Sequence, residues 1–123
     1  MARILLVDDE PNVRLFYATV LSERGHEVKE VSSASEARQR LEQEPVDLIV
    51  LDIKLGRENG LELLQEIAHR HPRVPVILLT AYTSFQDDYT CWLAARYVVK
   101  ETDVTGFLHE VEHVLDATRL RAP

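Results

Sequence analysis

Cysteine and long apolar runs are nearly absent from this sequence of 123 residues. The single cysteine, Cys91, cannot form an internal disulfide, which is typical of proteins from a reducing compartment. No apolar run approaches the roughly 20 residues that a membrane helix needs. Because the first predicted strand begins near the first residue, we expect no signal or transit peptide. We therefore predict a cytoplasmic protein with no membrane contact.

Positive charge is also scarce. The formal net charge is −7, which argues against direct, sequence-independent binding of nucleic acid by this chain. The 46% hydrophobic and 28% charged residues are ordinary for a globular protein, and the length suits one domain with one core. We assign residues 1–119 to that domain and residues 120–123 to a tail or the start of a linker.

Short apolar runs alternate with helical patterns along the chain. Apolar runs predict strands at residues 4–7, 48–51, 76–79 and 97–99. The partly charged run 28–31 predicts a strand at a sheet edge. Helical periodicity follows each strand, and the fourth helix is marked by Phe85, Tyr89, Trp92 and Leu93. Five strand–helix repeats, (βα)5, predict an α/β fold with a five-stranded parallel sheet and helices on both faces.

Polar residues end the strongest of these strands. Asp8 and Asp9 follow the first strand, and Asp52 follows the third. Thr80 and Lys100 follow the last two. The carboxyl ends of parallel strands meet at one edge of a sheet, where ligands bind. We therefore expect three carboxylates, one hydroxyl and one ammonium to converge on a small area.

Such a cluster suits phosphoryl transfer. Crowded carboxylates repel each other unless a cation intervenes, and Mg²⁺ prefers oxygen ligands in sites shared with phosphate. A carboxylate can act as the nucleophile and form an aspartyl phosphate. Lys100 would offset the remaining negative charge, and the Thr80 hydroxyl would donate to a phosphoryl oxygen.

Four segments that carry these residues resemble the response-regulator receiver family. They are Asp8-Asp9-Glu10-Pro11, the run ending in Asp52, Leu79-Thr80-Ala81 and the run ending in Lys100. The resemblance covers residues 3 to about 115 and implies a flavodoxin-like, doubly wound sheet with strand order 2-1-3-4-5. It also implies that Asp52 accepts a phosphoryl group from a sensor histidine kinase in a two-component phosphorelay.

The resemblance further implies how the site binds its metal. Asp9 and Asp52 would bind Mg²⁺ directly, together with the backbone carbonyl of Lys54, whereas Asp8 would act mainly through water. The chain would assist its own phosphorylation and dephosphorylation and would not be a conventional enzyme.

The switch residues that the resemblance implies are Thr80 and Tyr97. Thr80 would move toward the phosphoryl group, and Tyr97 would swing inward in response. The change would appear on the face formed by the fourth helix, fifth strand and fifth helix of the alternation. That face would bind a downstream protein or effector domain, and a second copy of the chain, giving a homodimer, is another candidate partner.

Three residues depart from the family pattern. Glu101 follows Lys100 where a proline is common, which puts the usual cis peptide in doubt. Gly56 replaces a proline in the loop after Asp52, and we expect it to loosen that loop. Leu93 stands where a glycine is usual, so we expect the fourth helix to end differently. The output face is therefore the part that the resemblance describes least well.

Lys54 and Tyr82 each lie two residues beyond a predicted site residue. An exposed loop position is the ordinary role of a lysine. The alternative hypothesis is that both side chains flank the phosphoryl group and alter the access of water to it, and hence the rate of dephosphorylation.

Residues 109–113 match the H-E-x-x-H signature of zinc proteases. At about 100° per residue, His109 and His113 lie opposite the apolar stripe of the predicted C-terminal helix. Histidines that bind a catalytic zinc would instead face a pocket. We therefore predict that this match is coincidental.

Two other functions fit parts of the pattern. A magnesium-dependent phosphatase with an aspartate nucleophile has two aspartates separated by one residue, whereas Asp8 and Asp9 are adjacent. A receiver-like interaction module that signals without phosphorylation is the stronger alternative. It would, however, leave the acidic set, Thr80 and Lys100 without a task.

Overall fold

A computed structural model describes residues 1–81 and 88–121 of the chain, with side chains described through residue 118. Its elements are β1 (Arg3–Val7), α1 (Pro11–Glu23), β2 (Glu27–Val31), α2 (Ala34–Gln43), β3 (Leu48–Leu51), β4 (Lys54–Leu55), β5 (Glu58–Asn59), α3 (Gly60–Arg70), β6 (Val76–Thr80), a 3-10 helix (Tyr89–Leu93), β7 (Arg96–Val99) and α4 (Thr105–Arg121).

The central sheet has five parallel strands in the order β2-β1-β3-β6-β7. Because β6 and β7 are its fourth and fifth strands along the chain, this is the predicted order 2-1-3-4-5. β2 lies at one edge, as its charged residues predict. The flavodoxin-like fold is therefore confirmed.

Two apolar clusters bury the two faces of the sheet. Alternation along β1 sends Leu5 and Val7 to one face, where they pack with side chains of α2 and α3. Ile4 and Leu6 point to the other face and pack with side chains of α1 and α4. Strands β1, β3 and β6 are covered on both sides, which explains their unbroken apolar runs.

Local sequence signals set the ends of the helices. Pro11 is the first residue of α1, a position where its missing N–H costs nothing. Gly25 follows the end of α1 with a φ of +88°, a conformation that glycine adopts without strain. Ser33 caps α2 by accepting from the Glu36 N–H at 3.2 Å. The Glu36 carboxylate accepts from the N–H and the hydroxyl of Ser32, the residue before the cap.

The connection between β6 and β7 differs from the prediction. Where the sequence predicts a fourth α-helix, the described residues form only the 3-10 helix, and Phe85 lies outside the described residues. Tyr89, Trp92 and Leu93 are 77%, 72% and 51% exposed. The spacing of these residues resembles an apolar stripe, but only Cys91 of this helix is buried.

The C-terminal helix packs as its periodicity predicts. Buried side chains lie along one stripe of α4: Phe107, Leu108, Val111, Val114 and Leu115. The described part of α4 extends to Arg121, two residues past the predicted domain boundary. No helix in residues 1–81 or 88–121 combines the length and apolar character needed to cross a bilayer.

Candidate metal and phosphoryl site

Backbone hydrogen bonds carry the sheet ladder past the last residues of the strands and fix the residues that follow. The Asp52 N–H donates to the carbonyl of Val7 at 3.0 Å, and the Lys100 N–H donates to the carbonyl of Thr80 at 2.7 Å. Asp8 directly follows β1. The backbones of these site residues are therefore positioned by strands and not by loops alone.

The Lys100 ammonium bridges two buried carboxylates at the edge of the sheet where the carboxyl ends of the strands meet. Lys100 Nζ lies 2.8 Å from Asp8 Oδ2 and 2.8 Å from Asp52 Oδ2. The three side chains are only 16%, 3% and 9% exposed, in the order Lys100, Asp8, Asp52. Charge-assisted hydrogen bonds at this distance are strong, and water screens them little here.

The same edge can hold a divalent cation. Asp8, Asp9 and Asp52 each offer a carboxylate oxygen within 4.8 Å of the other two, and Asp9 is exposed. No other group of three such ligand residues occurs in the described parts of the chain. Lys100 compensates one of three negative charges, so a hard cation with oxygen ligands, such as Mg²⁺, fits the remaining charge.

Burial and charge shift the two central groups. Burial raises the pKa of Asp52, the nearby Asp8 raises it further, and Lys100 opposes both effects without cancelling them. Burial alone would lower the pKa of Lys100, but its hydrogen bonds to Asp52 and Asp8 outweigh burial and raise that pKa. Lys100 is therefore charged at neutral pH, and Asp52 is more basic than an exposed aspartate.

Arg14 supports the acidic edge, although the sequence did not single it out. Its guanidinium donates to the backbone carbonyl of Asp8 at 2.8 Å and pairs with Glu30 of β2 at 3.3 Å. The Glu10 N–H also donates to Asp8 Oδ1, at 2.9 Å. No sequence pattern marks Arg14, because its carboxylate partner Glu30 lies on β2 and its other partner is a backbone carbonyl.

Gly60 makes room for the backbone after Asp52. A Cβ at Gly60 would overlap the carbonyl oxygen of Asp52 and lie 2.9 Å from that of Ile53. The Gly60 N–H donates to the same Ile53 carbonyl at 2.6 Å. The first residue of α3 therefore packs directly against the backbone that holds the central aspartate, which only glycine allows.

The loop after Asp52 forms the short antiparallel pair β4–β5. The Lys54 N–H lies 3.4 Å from Asp52 Oδ1, and the Lys54 side chain is exposed. Gly56 has a φ of +60°, and a Cβ there would lie 3.7 Å from Asp9 Oδ2. This turn therefore lies beside the metal-binding edge; whether Gly56 loosens it stays a prediction.

The two predicted switch residues lie on adjacent strands. Thr80 is fully buried as the last residue of β6. Tyr97 pairs in register with Leu78 and packs, partly buried, against the apolar cluster of α2 and α3. Tyr82 lies outside the described residues. The structure thus brings the three aspartates and Lys100 together and places Thr80 beside them, while the roles of all these residues stay predictions.

The H-E-x-x-H segment lies away from this edge, on the outer face of α4. His109 and His113 are both exposed, with ring centroids 6.5 Å apart. Glu110 accepts from Arg96 Nε at 2.7 Å, and Glu112 lies 2.8 Å from His26 Nε2. The two acids therefore tie α4 to neighbouring segments.

Comparisons with curated proteins place this chain among longer regulators. Response regulator protein PilR of Pseudomonas aeruginosa is 36% identical over 123 residues, which cover 98% of this chain and 27% of PilR. Transcriptional regulatory protein GlrR of Escherichia coli is 36% identical over 86 residues, covering 70% of this chain and 19% of GlrR. The chain thus spans about a quarter or less of the length of these relatives.

Solved structures give the same result at the level of the fold. Response regulator protein TrrA from Thermotoga maritima, in complex with Mg²⁺-BeF, has a TM-score of 0.90 at 36% identity, covering 93% of this chain and 99% of that one. A complex of histidine kinase ThkA with TrrA gives 0.87 at 36% identity, covering 94% and 99%. A CheY-like receiver domain protein from Methanospirillum hungatei gives 0.92 at 27% identity, covering 99% of both.

The family model that matches this sequence covers most of it. The model describes the response regulator receiver domain and matches residues 4–112. Together with the fold and the relatives, this match shows that the chain belongs to the response regulator receiver domain family.

Proposed function

We propose that this chain is a signalling switch that accepts a phosphoryl group on Asp52 in the presence of Mg²⁺. The observation that carries the proposal is the Lys100 ammonium, which lies 2.8 Å from Asp8 and 2.8 Å from Asp52 in a nearly buried setting. A fixed positive charge beside a basic, buried carboxylate is the arrangement that phosphoryl transfer to that carboxylate requires.

In the reaction, a carboxylate oxygen of Asp52 attacks the phosphorus of the donor. The bond from phosphorus to the donor breaks, the donor keeps the electron pair, and an acyl phosphate forms on Asp52. Lys100 stays protonated and offsets the charge of the new phosphoryl group. Mg²⁺, held by Asp9, Asp52 and the Lys54 carbonyl, with Asp8 acting mainly through water, would neutralise charge on the phosphoryl oxygens.

Thr80 and Tyr97 would pass the signal on. The Thr80 hydroxyl would move toward the phosphoryl group, and Tyr97, three residues before Lys100 on β7, would turn inward. The output would appear on the face of the 3-10 helix, β7 and α4. There a downstream protein, an effector domain or a second copy of the chain would bind.

The relatives support the partners in this proposal. One similar structure is a complex of a histidine kinase with a response regulator, so we propose a sensor histidine kinase as the donor. The longer curated relatives include transcriptional regulators, which supports an effector downstream of residues 1–119. We also propose that the chain works in the cytoplasm, with no direct nucleic-acid binding of its own.

Lys54 and Tyr82 belong to the proposal as modulators of dephosphorylation. Lys54 is the exposed first residue of β4, two residues beyond Asp52, and this position supports a role in limiting the access of water. A Lys54→Ala variant that loses its phosphoryl group at the rate of the parent would exclude this role for Lys54.

The test is the mass of the intact protein after incubation with acetyl phosphate. We expect one added phosphoryl group on the parent with Mg²⁺, none after chelation, and none on Asp52→Asn. Asp47→Asn serves as the control, because Asp47 is an exposed aspartate away from the edge. Addition to the Asp52→Asn variant would contradict the assignment. If the parent gains nothing from acetyl phosphate or from phosphorylated histidine kinases, the receiver-like module that signals without phosphorylation is the better reading.

A further inference from the structure

Lys100 begins an irregular segment. Residues 100–104, between β7 and α4, contain no helix or strand. On the side toward the sheet, the Lys100 N–H donates to the Thr80 carbonyl at 2.7 Å. The position of the ammonium therefore depends on what holds the backbone on the other side of Lys100.

Tyr17 contacts this segment from α1. Its hydroxyl donates to the backbone carbonyl of Glu101 at 3.3 Å, across 84 positions of sequence. The ring is buried, at 3% exposure, and packs edge-on against Phe107 of α4 with centroids 5.1 Å apart and an interplanar angle of 75°. The packing of the ring thus aims the hydroxyl at the residue after Lys100.

The Tyr17 hydroxyl is a donor at neutral pH. Burial raises the pKa of Tyr17, and the charge of Lys100 lowers it by less. A protonated phenol can donate to a carbonyl, whereas a phenylalanine keeps the ring and loses the donor. At 3.3 Å the bond is longer than the usual O–H···O distance of about 2.7–2.8 Å, so its effect should be modest.

We infer that Tyr17 is a positioning residue for Lys100, acting through the Glu101 carbonyl to hold the ammonium between Asp8 and Asp52. α1 begins just after the acidic loop, and Tyr17 lies in its second turn. The helix that follows Asp8 and Asp9 therefore also fixes the segment that carries their counter-ion. The inference rests on the proposed function, because it assigns Lys100 a part in phosphoryl transfer.

The test compares Tyr17→Phe with the parent in two backgrounds, one with Lys100 and one with Lys100→Gln. Phosphorylation by acetyl phosphate with Mg²⁺ is followed by intact mass in the parent, Tyr17→Phe, Lys100→Gln and the double variant. Thr19→Val is the matched control, because it removes a hydroxyl from an exposed position of the same helix, where Thr19 donates to the Leu15 carbonyl at 2.8 Å. Hydrogen exchange of the Lys100 amide is measured in the same unphosphorylated proteins, and thermal melting checks that each variant is folded.

We expect Tyr17→Phe to slow phosphorylation and to speed exchange of the Lys100 amide by roughly threefold each, the scale of one weak hydrogen bond. Because Tyr17 acts through Lys100, the double variant should react at the rate of Lys100→Gln alone. A purely structural role would slow both backgrounds equally, and that outcome would overturn the inference.

The two measurements separate this inference from the proposed function. A parent that is never phosphorylated defeats the proposed function. The exchange rate of the Lys100 amide then still decides the role of Tyr17, because an exchange rate equal to that of the parent means that Tyr17 does not hold the segment. If the parent is phosphorylated and Tyr17→Phe matches it in both measurements, only the inference about Tyr17 fails.

Discussion

The carboxyl edge of the sheet and the outer face of α4 both carry residues that bind metals in other proteins, yet they are built in opposite ways. At the edge, three aspartates from two separate connections place one oxygen each within 4.8 Å of the others. On α4, His109 and His113 come from one helix and are both exposed. At the edge, the strands fix the positions of the aspartates, whose negative charge is only partly compensated. On α4, the two histidines share only the sequence spacing of a zinc motif. Convergence from separate segments is therefore the stronger sign of a site.

The two regions should differ most in how a glycine-to-alanine substitution changes the free energy of unfolding. Gly60 begins α3 against the Asp52 carbonyl, whereas nothing lies within 4 Å of a Cβ built at Gly106, in the first turn of α4. We expect Gly60→Ala to lower the free energy of unfolding by about 3 kcal/mol, because backbone must move. Gly106→Ala should raise it by up to about 1 kcal/mol.

Urea denaturation of both variants measures this contrast. Equal small effects would mean that the backbone after Asp52 yields easily. The edge would then be no more rigid than the start of α4, and the comparison between the two regions would lose its physical basis.

Substitutions in the two regions should differ by about tenfold in their effect on the affinity for Mg²⁺. Asp9→Asn removes one of three negative charges while keeping the size of the side chain. We therefore expect the affinity for Mg²⁺, measured by titration calorimetry, to fall by about tenfold or more. The paired change His109→Ala and His113→Ala should leave it unaltered, because neither ring contributes to the edge.

Zinc provides the converse test on α4. Metal-stripped parent protein should take up no stoichiometric Zn²⁺ through the H-E-x-x-H segment, because its histidines are exposed and its acids pair with Arg96 and His26. Stoichiometric uptake that disappears in His113→Ala would show that spacing on one helix is enough, and would contradict our interpretation of α4.

Much of the edge could be predicted from the sequence, because its determinants are local. A buried parallel strand requires an unbroken apolar run, so the polar residue that ends each run marks the edge. Asp8, Asp52, Thr80 and Lys100 were found in this way. The helix ends at Pro11 and Gly25 follow from backbone preferences of single residues.

What could not be predicted depends on contacts between distant segments. Tyr17 reads as an ordinary core residue of α1, and nothing in its neighbourhood shows that its hydroxyl reaches Glu101. Arg14 is hidden for a similar reason, because its ion pair with Glu30 joins α1 to β2. In the connection before β7, Tyr89, Trp92 and Leu93 have helical spacing, but five residues of 3-10 helix bury only Cys91. A periodic pattern cannot show whether the sheet offers a surface to bury it.

The pH dependence of stability should differ in sign between the two regions, and this is the smallest of the expected effects. Burial and the nearby Asp8 raise the pKa of Asp52. In contrast, the backbone N–H of Thr105, which donates at 3.0 Å at the start of α4, and the Thr105 hydroxyl lower the pKa of Asp103. A carboxyl group whose pKa is raised in the folded state contributes stability at a pH below its unfolded pKa of about 3.9. That contribution is lost as the pH rises through the folded pKa. A carboxyl group whose pKa is lowered in the folded state contributes stability at a pH above about 3.9. That contribution is lost as the pH falls through the folded pKa.

In metal-free protein, Asp52→Asn should therefore be more stable than the parent at pH 7, by about 1 kcal/mol, and the gain should shrink toward pH 4. Asp103→Asn keeps an oxygen that can cap α4 but loses the charge, so it should be less stable than the parent above about pH 4 and approach the parent as the pH falls below that value. Thermal unfolding between pH 3.5 and 7.5 with a chelator present measures both. If Asp52→Asn lost stability at neutral pH, the Lys100 ammonium would more than offset the burial of Asp52. The edge would then be a stabilising ion pair and not a site held under charge for a cation and a phosphoryl group.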